Sequence, residues 1–270
     1  MLLADQVSEL IGHPVISRPC VDTAPMLERE YALRAGLGFI AKNTMLIMPR
    51  AGSYVLLGEL LMDIELPESQ PLDPKCGQCT RCIDACPTQA FVGPYVLDAR
   101  KCISYFTIEL QGVIPKDYRS KIGHRIFGCD VCQEVCPFNA SSKPRPGDTS
   151  LAPHPRLAGP PLVDILQLTS SGYKRFVKHT SMRRVSRAQL MRNAAIALGN
   201  TKSPAVVPPL SQALLENQYP VVRGHVAWAL GEIPSYESVQ ALNHALTQEQ
   251  DPWVLSEIRE ALENQAQQDD

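Results

Sequence analysis

Eight of the nine cysteines lie between positions 76 and 136, at spacings suited to holding metal. The first run is Cys76-x2-Cys79-x2-Cys82-x3-Cys86-Pro87. In paired iron–sulfur sites, three closely spaced thiolates cap one cubane, and the fourth, beyond a longer gap and a proline, serves the other. A second run, Cys129-x2-Cys132-x3-Cys136-Pro137, has the same tail, but Ile126 stands where its leading cysteine would be. Cys102 is the one clustered cysteine left over and is inferred to fill that place. Exchange between the runs then gives two four-thiolate sets. Cys76, Cys79, Cys82 and Cys136 hold one [4Fe–4S] cluster; Cys86, Cys102, Cys129 and Cys132 hold the other. Structural zinc also takes four cysteines, usually as two separated C-x2-C pairs. The triple C-x2-C-x2-C and the two C-x3-C-P tails favour iron–sulfur. Cys20 stands outside both sets and reads as a buried apolar thiol.

Two adjacent clusters form an electron wire; either the chain is a pure carrier or another part of it holds the acceptor, and 270 residues is large for a pure carrier. The 270 residues, 44% of them hydrophobic, can build a substantial core. No apolar run reaches eighteen residues and the first residues lack a basic, apolar leader, so neither a membrane span nor a signal peptide is expected. Clustered cysteines without a leader suit a reducing compartment, and a cytoplasmic location is expected. The net charge of −2 is no signature of a nucleic-acid binder over the whole chain.

Residues 1–70 mix apolar runs with glycine turns. Asp5 to Ile11 reads as helix, closed by Gly12-His13-Pro14. Val15-Ile16-Ser17 is a short strand, Thr23 to Ala35 a helix with Pro25 in its first turn and Gly36 at its end. Tyr54 to Met62 is a strand or a buried helix; periodicity does not decide. Residues 141–161 carry six prolines and read as a linker. From 162 onward the pattern is helical and repeats. Arg192–Gly199 matches Gly224–Gly231, and Pro209–Leu214 matches Ala241–Leu246, at one offset of 32 residues, with a partial third copy in Ile258–Leu262. A short solenoid of HEAT type accounts for the shared offset; an ordinary helical bundle is the plainer reading. Residues 172–192 hold Lys174, Arg175, Lys178, Arg183, Arg184, Arg187 and Arg192 without an acidic residue, with Tyr173 and Phe176 interleaved. Such a segment is either a phosphate-binding patch or a solvated helix face.

Several stretches resemble epoxyqueuosine reductases: Val21-Asp22-Thr23-Ala24-Pro25-Met26-Leu27-Glu28-Arg29-Glu30, Ala35 to Thr44, Cys102 to Leu110, Ile122 to Cys132, and Leu190 to Ala195. The resemblance runs over nearly the whole chain. It implies an oxidoreductase that removes the epoxide oxygen of epoxyqueuosine at the wobble position of tRNA to give queuosine, the final step of queuosine biosynthesis. Two [4Fe–4S] clusters would pass electrons to cobalamin. The fold class implied is α+β, in three parts joined by a linker. Residues 1–70 are the C-terminal part, or remnant, of a nitroreductase-like cobalamin and substrate domain. Residues 71–140 are a ferredoxin-like two-cluster domain, 141–161 the linker, and 162–270 an all-α HEAT-like domain. Phe39 and Ala41 replace a tryptophan and a glycine usual in the family. The family has a longer stretch before the Asp22 motif, so an N-terminally shortened chain is expected, with part of the cobalamin pocket absent.

By the same resemblance Asp22 is the proton donor and touches cobalamin; by position alone it is a helix N-cap. Lys42 and Asn43 are offered to cobalamin, or are a surface lysine and a turn asparagine. Leu46, Ser53 and Leu57 are expected to line the corrin through backbone atoms, and Ser104 and Asp130 flank ligands of the second cluster. Lys174, Arg175, Lys178, Arg183, Arg184 and Arg187 are the expected tRNA contacts. The expected partners are the modified tRNA and an external low-potential electron donor, with no membrane, the chain acting as a monomer. Two other functions fit parts of the pattern: an electron-transfer module on a HEAT scaffold, and a related corrinoid reductase.

Overall fold

The computed structural model describes residues 2–22, 24–140, 157 and 159–268. The N-terminal third alternates short elements: α1 (Leu2–Ile11), β1 (Ser17–Cys20), α2 (Glu28–Arg34), β2 (Phe39–Ile40), β3 (Leu46–Ile47) and β4 (Glu59–Met62). The cysteine-bearing stretch is made of smaller pieces still. They are α3 (Arg81–Asp84), β5 (Phe91–Gly93), β6 (Val96–Leu97), a 3₁₀ turn Ala99–Lys101, a π-helical turn Tyr105–Glu109, α4 (Lys116–Ile122), α5 (Val131–Glu134) and α6 (Pro137–Ala140). From Leu162 the chain is helical: α7 (Leu162–Leu166), α8 (Ser170–Val177), α9 (Arg187–Gly199), α10 (Val207–Glu216), α11 (Pro220–Gly231), α12 (Tyr236–Leu246) and α13 (Pro252–Gln268).

These elements form two compact units. The first takes residues 1–97 and 130–146, the second 98–129 and 147–270. The division cuts through segment 71–140, expected from sequence as one domain: its middle, 98–129, packs with the helical repeat. Cysteine spacing reports local geometry, and tertiary contacts decide which core a segment joins. The proline-rich stretch 141–161 lies mostly outside the described residues.

In the first unit, antiparallel β1 and β4 pair Cys20 with Glu59, β2 and β3 pair Phe39 with Ile47, and β5 pairs with β6. The strand expected at 15–17 begins at Ser17 and runs to Cys20, and only the last four residues of Tyr54–Met62 are strand. The helix expected from Thr23 starts at Glu28, with Leu27 in the N-cap position. Pro25 therefore precedes the helix rather than sitting in its first turn, and the N-cap position belongs to Leu27, not Asp22. Cys20 is buried, as its reading as an apolar thiol requires.

In the second unit, one core runs from Ile165 through the inner faces of α9, α10, α11 and α13. Close approach explains the small residues at the repeated positions. A Cβ on Gly199 would lie 2.7 Å from Ala229 Cα, and one on Gly231 would lie 2.8 Å from Ala261 Cβ. Gly199 and Gly231 are 32 apart, as are Ala229 and Ala261, so one interhelical contact occurs twice at the sequence offset. Among the described residues no helix is long and apolar enough to cross a membrane.

Candidate iron–sulfur centre

Two short helical turns in the first unit carry the C-x3-C-P tails, and they are built alike. Cys82 lies on α3 and Cys132 on α5, each second in a four-residue turn. The flanking backbone matches: Thr80 and Asp130 precede the turns at φ −124°, ψ 4° and φ −111°, ψ 10°, and Ala85 and Val135 follow at φ −79°, ψ −10° and φ −80°, ψ −4°. The proline after each final cysteine prevents the turn from propagating. The internal symmetry of the sequence is thus a symmetry of structure.

Cys76, Cys79, Cys82 and Cys136 line one cavity of about 190 Å³. Ala41, Pro137 and Phe138 form much of its wall. Behind it Phe39 and Ile47 are fully buried, and Phe39 meets Phe138 edge-on at 5.3 Å between ring centres. Burial pushes the Cys82 thiol up, and the neighbouring sulfurs of Cys76 and Cys136 add to the rise. Negative charge gathered on thiolates in an apolar pocket calls for a cation, and an iron cluster supplies one. Tetrahedral zinc takes four thiolates on one ion. A cubane differs in taking each thiolate on a separate iron, so its sulfurs stand around the cluster. Thiol chemistry, apolar walls and shared cavity fit a [4Fe–4S] cluster.

Of the second set, Cys86 and Cys132 belong to the first unit, and Cys102 and Cys129 to the second. Cys86 Sγ accepts from the Ala90 amide at 3.3 Å and lies 3.6 Å from Thr88 Oγ1. Ser104 Oγ donates to the Cys129 carbonyl at 3.5 Å. Tyr54, with its pKa raised by burial first and then by Asp130, Glu134 and Cys132, lies near that thiol in the first unit.

Lys42, Asn43 and Ser53, expected at cobalamin, hydrogen-bond to the cysteine loops. Lys42 Nζ donates to the Gly77 and Cys79 carbonyls at 2.7 and 3.1 Å, bracing the first C-x2-C turn. Asn43 is buried; its Nδ2 donates to the Cys132 carbonyl at 3.0 Å and its Oδ1 accepts from the Met45 amide. Ser53 Oγ donates to Gln133 Oε1 at 2.8 Å and accepts from Asn139 Nδ2, while Gln133 Nε2 donates to Asp130 Oδ1 at 2.7 Å. Lys42 is therefore no surface lysine, and Asn43 is more than a turn residue. Leu46 is buried on β3, and Leu57 is half-buried on the strandless approach to β4. Sequence reasoning missed this bracing role because the bonds span up to 89 residues. Asp22 is exposed, at a left-handed φ of 52° that aspartate tolerates better than most residues. Thr23, part of its motif, lies outside the described residues.

The basic segment divides. Lys174 and Arg175 on α8, Lys178 at its C-cap, and Arg183 and Arg184 on the 3₁₀ turn Ser181–Arg184 are exposed, and Arg184 also pairs with Glu109 at 2.9 Å. Arg187 is half-buried, donating to Tyr219 Oη at 3.0 Å and stacking over its ring. That hydrogen bond lowers the Tyr219 hydroxyl pKa. Arg192 is fully buried and makes no part of a surface patch.

The model of a 4Fe-4S double cluster binding domain matches residues 75–139, a span that contains all eight clustered cysteines. HEAT repeats match 182–263. The epoxyqueuosine reductase of Salmonella typhimurium is 39% identical over 231 residues, 85% of this chain and 59% of that protein. The epoxyqueuosine reductase of Bacillus anthracis is 36% identical over 273 residues, 99% of this chain and 71% of that protein. A crystal structure of epoxyqueuosine reductase with an epoxyqueuosine-modified tRNA-Tyr stem loop is similar at a TM-score of 0.89 and 36% identity, covering 97% of this chain and 70% of that one. The chain thus spans about six tenths of the length of the Salmonella relative.

Proposed function

The chain belongs to the epoxyqueuosine reductase family, and from that membership we propose that it takes part in reducing epoxyqueuosine in tRNA to queuosine. Both C–O bonds of the epoxide break and a C=C bond forms. Two electrons and two protons are consumed, and the oxygen leaves as water. A cubane passes one electron at a time, so each turnover draws twice on the wire. The observation that carries the reading is the apolar cavity lined by Cys76, Cys79, Cys82 and Cys136. The second ligand set, Cys86, Cys102, Cys129 and Cys132, rests on spacing and on the double-cluster match.

Asp22 is the proposed donor of one proton to the departing oxygen, a role that requires the protonated carboxyl at the moment of cleavage. Lys174, Arg175, Lys178, Arg183 and Arg184 are the proposed contacts to tRNA phosphates, supported by their exposure on one short stretch of the second unit. Arg187 would serve mainly by holding Tyr219. An external low-potential donor would feed the clusters, and the chain would act as a cytoplasmic monomer.

Cobalamin is proposed on the resemblance alone, with residues 1–70 as part of its nitroreductase-like domain; when bound it would supply a strongly reducing metal centre. The described residues of the first unit do not by themselves make a corrin pocket. Lys42, Asn43, Ser53 and Asp130 hydrogen-bond within the cysteine loops, and a cavity of about 560 Å³ in the same unit is lined by Met26 to Glu30, Arg34, Ile40 and Thr44. Leu46, Ser53 and Leu57 retain only the backbone role, and Ser104 stays a neighbour of Cys129.

The test is anaerobic purification, metal analysis and incubation with epoxyqueuosine-bearing tRNA, cobalamin and a low-potential reductant. About eight irons per chain and loss of one oxygen from the nucleoside are expected, with Asp22→Asn slowing the second without altering the first. Zinc in place of iron would overturn the reading. Full iron without tRNA conversion would favour the electron-transfer module.

A further inference from the structure

The π-helical turn Tyr105–Glu109 follows three residues after Cys102, and its hydrogen bonding creates a need. The Leu110 amide bonds back to Tyr105 O at 2.9 Å, which closes the turn and leaves the next carbonyls without helical donors. Those carbonyls are taken by side chains of α9. Arg192 Nη2 donates to Phe106 O at 2.7 Å, Asn193 Nδ2 to Thr107 O at 2.9 Å, and Gln189 Nε2 to Ile108 O at 3.0 Å. Arg192 Nη1 and Gln189 Nε2 both reach Leu110 O, at 2.8 and 3.2 Å. Positions 189, 192 and 193 share one helix face, and all three side chains are buried.

The bonds continue to residues beside both cysteines of this segment. Asn193 Nδ2 also donates to Ile126 O at 2.9 Å. Thr107 Oγ1 donates to Ile103 O at 2.8 Å and accepts from the Gly128 amide at 3.0 Å, touching the residue after Cys102 and the one before Cys129. Arg192 Nε and Nη2 fix the Asn193 amide by donating to its Oδ1 at 3.1 and 2.9 Å, which leaves its NH2 to face the two carbonyls.

We propose that Gln189, Arg192 and Asn193 are positioning residues for Cys102 and Cys129, so that the first helix of the repeat is a structural part of the second iron–sulfur site. The proposal rests on the ligand set assigned above. It gives the buried end of the basic segment a task unrelated to tRNA: a cluster reorganises little on reduction only if its ligand backbone is held.

The test compares Asn193→Ala with Asn200→Ala. Asn200 lies at the end of the same helix and also donates two bonds to the same segment, to Arg119 O and Gly123 O at 2.9 Å each, but not to a residue bonded to the neighbours of either cysteine. Cys102→Ser identifies which of the two reduced-cluster paramagnetic signals belongs to the second site. Asn193→Ala is expected to diminish or shift that signal alone and to lower iron from about eight toward about four per chain. Asn200→Ala should leave both signals and the iron unchanged. If Asn193→Ala is insoluble, Thr107→Val, nearly isosteric, carries the same expectation through its lost bond to the Gly128 amide. Equal effects from both asparagines, or full iron and unmoved signals in Asn193→Ala or Thr107→Val, would overturn the proposal. A Cys102→Ser protein that keeps both signals would refute the ligand set and this inference with it, whereas iron-free wild-type protein would refute the functional reading itself.

Discussion

Glu257→Gln is expected to destabilise the second unit more than any other single neutral-for-charged exchange in it. Arg119 on α4 and Glu257 on α13 are 0% and 2% exposed and meet as a fork: Nη1 to Oε2 at 2.7 Å and Nη2 to Oε1 at 3.0 Å. Arg119 Nε donates to Ile114 O at 2.9 Å, and the guanidinium carbon lies 5.8 Å from the Trp228 ring centre. At 2.7 Å and an effective dielectric of 20, the attraction is about 6 kcal/mol, much of it offset by desolvation. Removing one charge leaves the other buried without compensation, which costs about 3–5 kcal/mol. Lys116, 3.6 Å from Glu257 Oε1 and half-exposed, cannot replace the lost contact. For a unit of this size the melting temperature should fall by roughly 6–20 °C. Urea denaturation of the anaerobic protein, followed by helix signal, gives the cost as a midpoint shift at constant slope. The double variant Arg119→Met/Glu257→Met should cost less than Glu257→Gln alone, because no charge remains to desolvate. A Glu257→Gln cost below about 1 kcal/mol, or a double variant as costly as the sum of its singles, refutes the argument.

His225 should make the same unit sensitive to acid. Its ring is buried, accepts the Ile114 amide at Nε2 and meets Val221 O at Nδ1; burial first, and Arg119 second, hold its pKa well below 6.5. Below about pH 6.5 the unfolded chain takes up a proton that the folded one refuses, so stability is complete above that pH and falls by about 1.4 kcal/mol per unit as pH drops toward the folded pKa. Urea midpoints at pH 5.5 and 7.5 should differ in the wild type and converge in His225→Gln; no change in the wild type contradicts this. On the surface, Lys174→Glu, Arg175→Glu and Arg183→Glu together should weaken tRNA binding and lower the slope of log affinity against log salt by about 2–3. Filter binding across a salt series measures both.

The parts of this molecule legible in sequence are those whose cause is local or periodic. A C-x3-C-P tail describes one turn and its stop, so matched spacing predicts the matched backbones at α3 and α5. An offset of 32 was visible because each repeat meets the next through a glycine against an alanine, a contact that tolerates no larger side chain. The start of α2 was misread because Pro25 suits a first helical turn and the segment just before one equally well, and only the Leu27 backbone decides. The bracing by Lys42, Asn43 and Ser53 leaves no mark in the sequence because their partners, Cys79, Cys132 and Gln133, are 37, 89 and 80 residues away.

Arg192 shows why a charge count cannot locate a binding surface. Counted along the chain, it is the last cation of a basic run; folded, it is 0% exposed, and burial pulls its pKa down to about 10, leaving it charged at neutral pH. Its charge is met by the carbonyls of Phe106, Leu110 and Gly112 and the Asn193 amide oxygen, the concentrated negative end of a turn whose own donors are used up. A buried cation with that many carbonyl acceptors costs less than one without, but it is still a costly way to join two elements that leucines could join. The cost is understandable where the orientation of the backbone matters more than its adhesion, and the backbone here leads to Cys102 on one side and, through Ile126 and Gly128, to Cys129 on the other.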